Sequence, residues 1–154
     1  MKYLLKFCKM SAIQFPKKLT KEFSAELLNK VDNFLFDCDG VIWNYPNPIP
    51  GSIECINKLK SLGKSCYFVT NNSTKTQKHV FSVLTKMGVK DVKENDVICT
   101  AWCVAAYLKS RDFKDKVYVI GPPAIGAELD ALGIKHTGLE HYLQSKSFEN
   151  QSFN

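Results

Sequence analysis

The chain lacks any apolar run near the ~20 residues that cross a bilayer, so neither a spanning helix nor a membrane partner is expected. Its opening holds only Tyr3, Leu4 and Leu5 before Lys6 interrupts, too short for the apolar region of a secretory signal. That reads as cytoplasmic; a mitochondrial presequence fits less well, because such peptides favour Arg and Ser over Lys. No Cys-x-x-Cys occurs, and Cys38, Cys66, Cys99 and Cys103 fall inside apolar segments, which argues against zinc and against a disulfide framework. Small buried thiols in a reducing compartment are the expectation. A Walker lysine loop and a G-x-G-x-x-G are both missing, which removes the nucleotide-clasping sites. With no internal repeat or low-complexity tract in 154 residues, one domain is expected.

Acids are missing from the start. Lys2, Lys6, Lys9, Lys17, Lys18 and Lys21 all precede Glu22, so six of the 21 basic residues sit in a leader and the other 15 balance the 15 acids. The net charge of +6 therefore marks a lysine-rich leader, residues 1–23, expected to be flexible, and no nucleic-acid partner is expected of the neutral body.

What is present alternates. Ser24 to Lys30 reads as a helix capped by Ser24, Phe34 to Phe36 as a short strand, and Gly51 to Leu62 as a helix stopped by Gly63. Between them N-Y-P-N-P-I-P, residues 44–50, forbids helix and central strand and is placed to cover whatever the first strand delivers. Ser65 to Val69 is a second strand, followed by a helix to Met87 capped by Ser73 or Thr74. Val97 to Cys99 reads as a brief strand, Ala101 to Lys109 as helix, Lys116 to Ile120 as a third buried strand, then a helix through Leu132 and a last short strand, Ile134 to Thr137. Alternation at these lengths predicts an α/β fold on a parallel sheet with right-handed crossovers. Residues 139–154 carry no pattern and read as a tail.

The first strand ends in F-D-C-D-G. At a spacing of two in extended chain, Asp37 and Asp39 share a side while Cys38 points away, and paired carboxylates repel unless a cation lies beside them. Mg²⁺, a hard ion that takes oxygen ligands and keeps waters for a substrate to replace, suits the pair. A calcium loop suits it less, because Val41 and Ile42 stand where that motif wants another oxygen donor and a glycine. In open parallel sheets ligands bind beyond the carboxyl ends of the strands, which is also where Thr70-Asn71-Asn72 falls. Thr70 offers a hydroxyl, and the amides after it, near the next helix start, form an anion seat.

F-L-F-D-C-D-G-V-I-W and F-V-T-N-N-S-T-K, at this separation and with V-Y-V-I-G after them, make residues 24 to about 138 resemble the haloacid dehalogenase superfamily. Within it the likeness is to the phosphoglycolate, 4-nitrophenyl phosphate and pyridoxal phosphate phosphatases. The resemblance implies a three-layer Rossmann-like core over 24–138. It makes Asp37 the nucleophile, forming an aspartyl-phosphate, and Asp39 the acid and base. Asp37 and the Asp39 backbone carbonyl would ligate Mg²⁺, Thr70 and Asn71 would hold phosphate oxygens, and Gly40 would permit the turn. For Asn72 both a substrate role and helix capping stay open. The expected substrate is a small phosphorylated metabolite.

The resemblance also implies a cap domain, a phosphoryl-steadying lysine and a Gly-Asp…Asp stretch beyond the third strand, and no match to them follows here. The expectation is thus an incomplete core lacking the later cap and last core strands. Two functions stay open: a Mg²⁺-dependent phosphomonoester hydrolase, feeble in this chain alone, or a truncated, non-catalytic fragment or interaction protein. A phospho-accepting receiver domain is a remote third. Without the strands that flank it in the family, Phe34 to Phe36 would be an exposed edge prone to self-association.

Overall fold

A computed structural model of the chain describes residues 18–139; the expectations for 1–17 and 140–154 lie outside the described residues. The chain divides after Val31 into two units. In the first, α1 spans Lys21–Lys30 and its cap is Thr20, whose Oγ1 accepts from the Phe23 amide at 3.2 Å. The expected cap, Ser24, lies within the first turn instead and donates its hydroxyl back to the Thr20 carbonyl. Thr20 is the residue with extended dihedrals, which is what capping requires.

The second unit runs β1 (Asn33–Asp37), β2 (Trp43–Asn44), β3 (Asn47–Pro48), α2 (Ser52–Ser61), β4 (Ser65–Thr70), α3 (Gln77–Lys86), β5 (Val97–Cys99), α4 (Thr100–Ser110), β6 (Val117–Tyr118), α5 (Pro123–Ala131) and β7 (His136–Thr137). Strands β1, β4 and β5 form a parallel sheet in the order β1-β4-β5, with Phe36 opposite Phe68 and Thr70 opposite Cys99. Alternation along β4 buries Cys66, Phe68 and Thr70. Helix α2 brings Ile56 and Leu59 to the core, and α3 brings Val80 and Leu84, at helical spacing. Each such burial contributes about 1.5–3 kcal/mol. The fold is α/β on a parallel sheet, as expected, and no described helix is long and apolar enough to cross a membrane.

Three local expectations change. The proline loop forms a small antiparallel hairpin, β2 with β3, Trp43 facing Pro48. Helix α3 starts at Gln77 and its cap is Thr76, which accepts from the His79 amide, not Ser73 or Thr74. Asn72 takes both the amide and the hydroxyl of Thr74, tying 72–74 into a turn that the helix cannot include.

The largest change concerns the third strand. Only Val117–Tyr118 is strand, and it pairs in parallel with β7, outside the sheet of β1, β4 and β5. Val119 is buried with Leu129, Ile134 and Ala105, whereas Ile120 is 88% exposed, so alternation buries one face of this segment, not all of it. The pairing depends on a close approach: the Val119 amide donates to the Thr137 carbonyl at 2.7 Å, and a Cβ at Gly138 would stand 2.5 Å from the Val119 carbonyl oxygen. Of the cysteines expected inside apolar elements, Cys38, Cys66 and Cys99 are buried, but Cys103 is exposed on the outer side of α4.

Candidate active site

Asp37 closes β1 opposite Val69, and its exposed carboxylate accepts from the following amide, Cys38 N, at 2.8 Å. The chain then turns sharply. The Cys38 carbonyl accepts from the amides of Val41, Ile42 and Trp43, and Gly40, at φ +78°, donates its amide to the Trp43 carbonyl at 2.8 Å. That left-handed conformation suits glycine, so Gly40 has the turning role expected of it.

The turn alters the placement of the carboxylates. Extended geometry stops at Asp37, so the rule that puts residues two apart on one side no longer applies at Asp39. Asp37 lines an open hollow with Asn71 and Leu35, while Asp39 lines a pocket with Thr70 and Asn72. Asp39 is held twice: Trp43 Nε1 donates to Oδ1 at 2.8 Å and Thr70 Oγ1 donates to Oδ2 at 3.4 Å. The Thr70 hydroxyl in turn accepts from the Asn72 amide at 3.1 Å. Asp37 and Asn71 thus line one hollow and Asp39, Thr70 and Asn72 the other, at the carboxyl ends of β1 and β4, while Gly40 lines neither.

Cys38, between the carboxylates, is fully buried, and its thiol is pushed up to about 12, by burial first and then by the charges of Asp39 and Asp37. It stays protonated and is no rival nucleophile.

The anion seat is narrower than expected. The amide at the start of α3, Gln77 N, is taken by the Glu128 carboxylate from α5, and the buried Gln77 side chain donates to the Val97 carbonyl. An internal carboxylate thus occupies the positive end of α3, and a ligand is left the Thr70–Asn71 segment. Sequence reasoning missed Glu128, which lies 51 residues away. It also missed Trp43, Lys75 and His79, which share the Asp39 pocket; Trp43 four residues after Asp39, and the Lys75/His79 spacing beside the second motif, were signals available to find them.

A profile of the haloacid dehalogenase-like hydrolases matches residues 34–135. The chain belongs to that family. Human glycerol-3-phosphate phosphatase is 38% identical over 129 residues, covering 79% of this chain and 40% of that enzyme. The chloroplastic phosphoglycolate phosphatase 1A of Arabidopsis thaliana is 41% identical over 119 residues, 76% of this chain and 33% of that one. Among solved structures, a p-nitrophenyl phosphatase from Archaeoglobus fulgidus superposes with a TM-score of 0.66 at 30% identity, over 70% of this chain and 41% of that one. A glycerol phosphate phosphatase from Mycobacterium tuberculosis, in complex with magnesium, gives 0.59 at 25% identity, over 72% of this chain and 33% of that one. The chain thus spans about two fifths of the human enzyme that it matches.

One similar solved structure is in complex with magnesium, and the donor set here suits such an ion. Asp37 and Asp39 offer exposed hard oxygens, and among the described residues neither has an ion-pair partner. No described group of three or more His, Cys, Asp or Glu could hold a metal, so water and substrate oxygens would complete the shell, as Mg²⁺ commonly allows.

Proposed function

We propose that this chain carries the nucleophile-bearing part of a Mg²⁺-dependent phosphomonoester hydrolase acting on a small phosphorylated metabolite. The observation that carries the reading is the register: Asp37 sits opposite Val69, which sets it against the Thr70–Asn71 segment at the shared carboxyl end of the sheet. Asp37 attacks phosphorus, the bond from phosphorus to the alcohol oxygen breaks, and Asp39 gives that oxygen a proton. Asp39 then takes a proton from water, which attacks the aspartyl-phosphate, releasing phosphate and restoring Asp37. The Thr70 hydroxyl and the Asn71 amide hold phosphoryl oxygens, which withdraws Thr70 from Asp39 and leaves Trp43 to orient it. The Asp37 carboxylate and the Asp39 carbonyl would hold Mg²⁺, which when bound would supply charge that offsets the repulsion between anionic nucleophile and anionic ester.

Among the described residues no third acid joins Asp37 and Asp39, so the site lacks metal ligands that the resemblance implies, and turnover by this chain alone is expected to be feeble. Hydrolysis of 4-nitrophenyl phosphate with and without Mg²⁺ tests this, and a rate of ~1 per second or more would overturn the expectation of feebleness. A non-catalytic interaction role is the second reading, favoured by the β1 edge. There Leu35 is 67% exposed, and among the described strands β1 pairs only with β4. A second copy of this chain is the partner we assign to that edge. The buried thiols Cys38, Cys66 and Cys99 support a reducing compartment, the cytoplasm in our reading.

A further inference from the structure

Beside Asp39 lies a pocket of about 130 Å³ with Trp43, Val80 and Val83 as its apolar lining and Tyr45, Lys75 and His79 among its polar groups. It continues past Tyr45 and His79 into an open groove between the hairpin prolines and α3, ending at Lys86. Charge along this path is of one sign. Apart from Asp39, no acid lines either hollow, and among the described residues Lys75 and Lys86 have no carboxylate partner. His79 feels this: partial desolvation first, then Lys75 and Lys86, lower its proton affinity below the ordinary histidine value.

We propose that this pocket is the leaving-group subsite, and that Lys75 and His79 there recognise a second anionic group on the alcohol of the phosphomonoester. The inference rests on the phosphatase reading. If Asp39 protonates the leaving oxygen, the alcohol departs on the Asp39 side, and this pocket is the concavity that adjoins Asp39. Its volume of about 130 Å³ accommodates a short spacer between the phosphoryl group and the lysines. The apolar lining accepts the spacer, and the lysines meet a carboxylate or second phosphoryl group through charge-assisted hydrogen bonds, with the His79 ring adding an N–H donor. A neutral alcohol leaves those cations in water and gains nothing from them.

Two non-hydrolysable probes test it on the full chain with Mg²⁺ present: propylphosphonate and 3-phosphonopropionate, which differ in the terminal carboxylate. NMR follows the His79 ring and the amides of Thr70 and Asn71. The groups facing His79 are Lys75 and Lys86, with Tyr45 and Asp39 across the pocket. An anion seated there stabilises the imidazolium, so 3-phosphonopropionate should raise the His79 midpoint and bind about tenfold tighter than propylphosphonate. Lys75→Gln should remove that preference while leaving the Thr70 and Asn71 shifts in place. A His79 ring that ignores 3-phosphonopropionate, or a preference that survives Lys75→Gln, overturns the subsite. Failure of both probes to move Thr70 and Asn71 overturns the phosphoryl seat instead, and the His79 response then decides the subsite separately.

Discussion

Strand β1 and strand β6 read alike as sequence, each a short apolar run before a glycine turn, yet they are built in opposite ways. All five residues of β1 pair with β4, and the strand delivers an exposed carboxylate at its end. Two residues of β6 pair with β7, and the segment serves a hydrophobic cluster formed with α4 and α5. The first region spends its side chains on polar contacts around Asp39; the second spends them on Val119, Leu129 and Ile134. Local apolarity specifies extended chain. It does not specify a partner.

Substitutions sharpen this contrast. The largest effect belongs to the β1 end: Asp37→Asn should abolish any Mg²⁺-dependent phosphatase activity of this polypeptide, because an amide cannot form the acyl-phosphate, while thermal unfolding stays near wild type. Retention of even a tenth of the activity, by a 4-nitrophenyl phosphate assay, would remove Asp37 from its role.

Next comes the thiol between the carboxylates. With Cys38 pushed from 9.0 to about 12, its thiolate fraction at pH 8 is about a thousandfold below that of an ordinary thiol. Mass spectrometry after iodoacetamide treatment of the native chain at pH 8 should find Cys55 and Cys103 labelled and Cys38 untouched. Brisk labelling of Cys38 would mean that the turn at Gly40 opens readily.

The β6 region should answer through stability alone. Leu129→Ala, at a fully buried position, should cost about 2–5 kcal/mol by denaturant unfolding, with no change in phosphonate binding at Thr70. If binding and stability fall together, the two regions are coupled and the contrast fails. Thr70→Val is the milder counterpart at the β1–β4 end, losing about 1.5–3 kcal/mol of phosphate affinity through one charge-assisted hydrogen bond.

The smallest difference lies in the edges. Amides of Phe34 to Phe36 should exchange with solvent faster than those of Tyr67 to Val69, which have strands on both sides, and sedimentation should show concentration-dependent association. A monodisperse monomer with slow exchange throughout β1 would dismiss the edge as an interaction surface.

The order of helices and strands and the turn at Gly40 were legible in the sequence because each rests on local chemistry: apolar alternation, glycine at positive φ and short turns; the meeting of the two motifs followed from the rule that ligands bind beyond the carboxyl ends of parallel strands. Asp37, Thr70 and Asn71 could be placed at strand ends for that reason alone. What the tertiary structure decided is everything that needs a partner distant in the chain. Glu128 reaches across 51 residues to take the first amide of α3, and Val119 pairs beside Gly138 because a missing Cβ lets two backbones approach. Lys75, just before α3, and His79 within it meet the Trp43 turn only once α3 has packed beside the sheet. Periodicity reports which face of an element is apolar; the identity of what that face meets is settled by packing, where backbone hydrogen bonds and close contacts of many residues must be satisfied together.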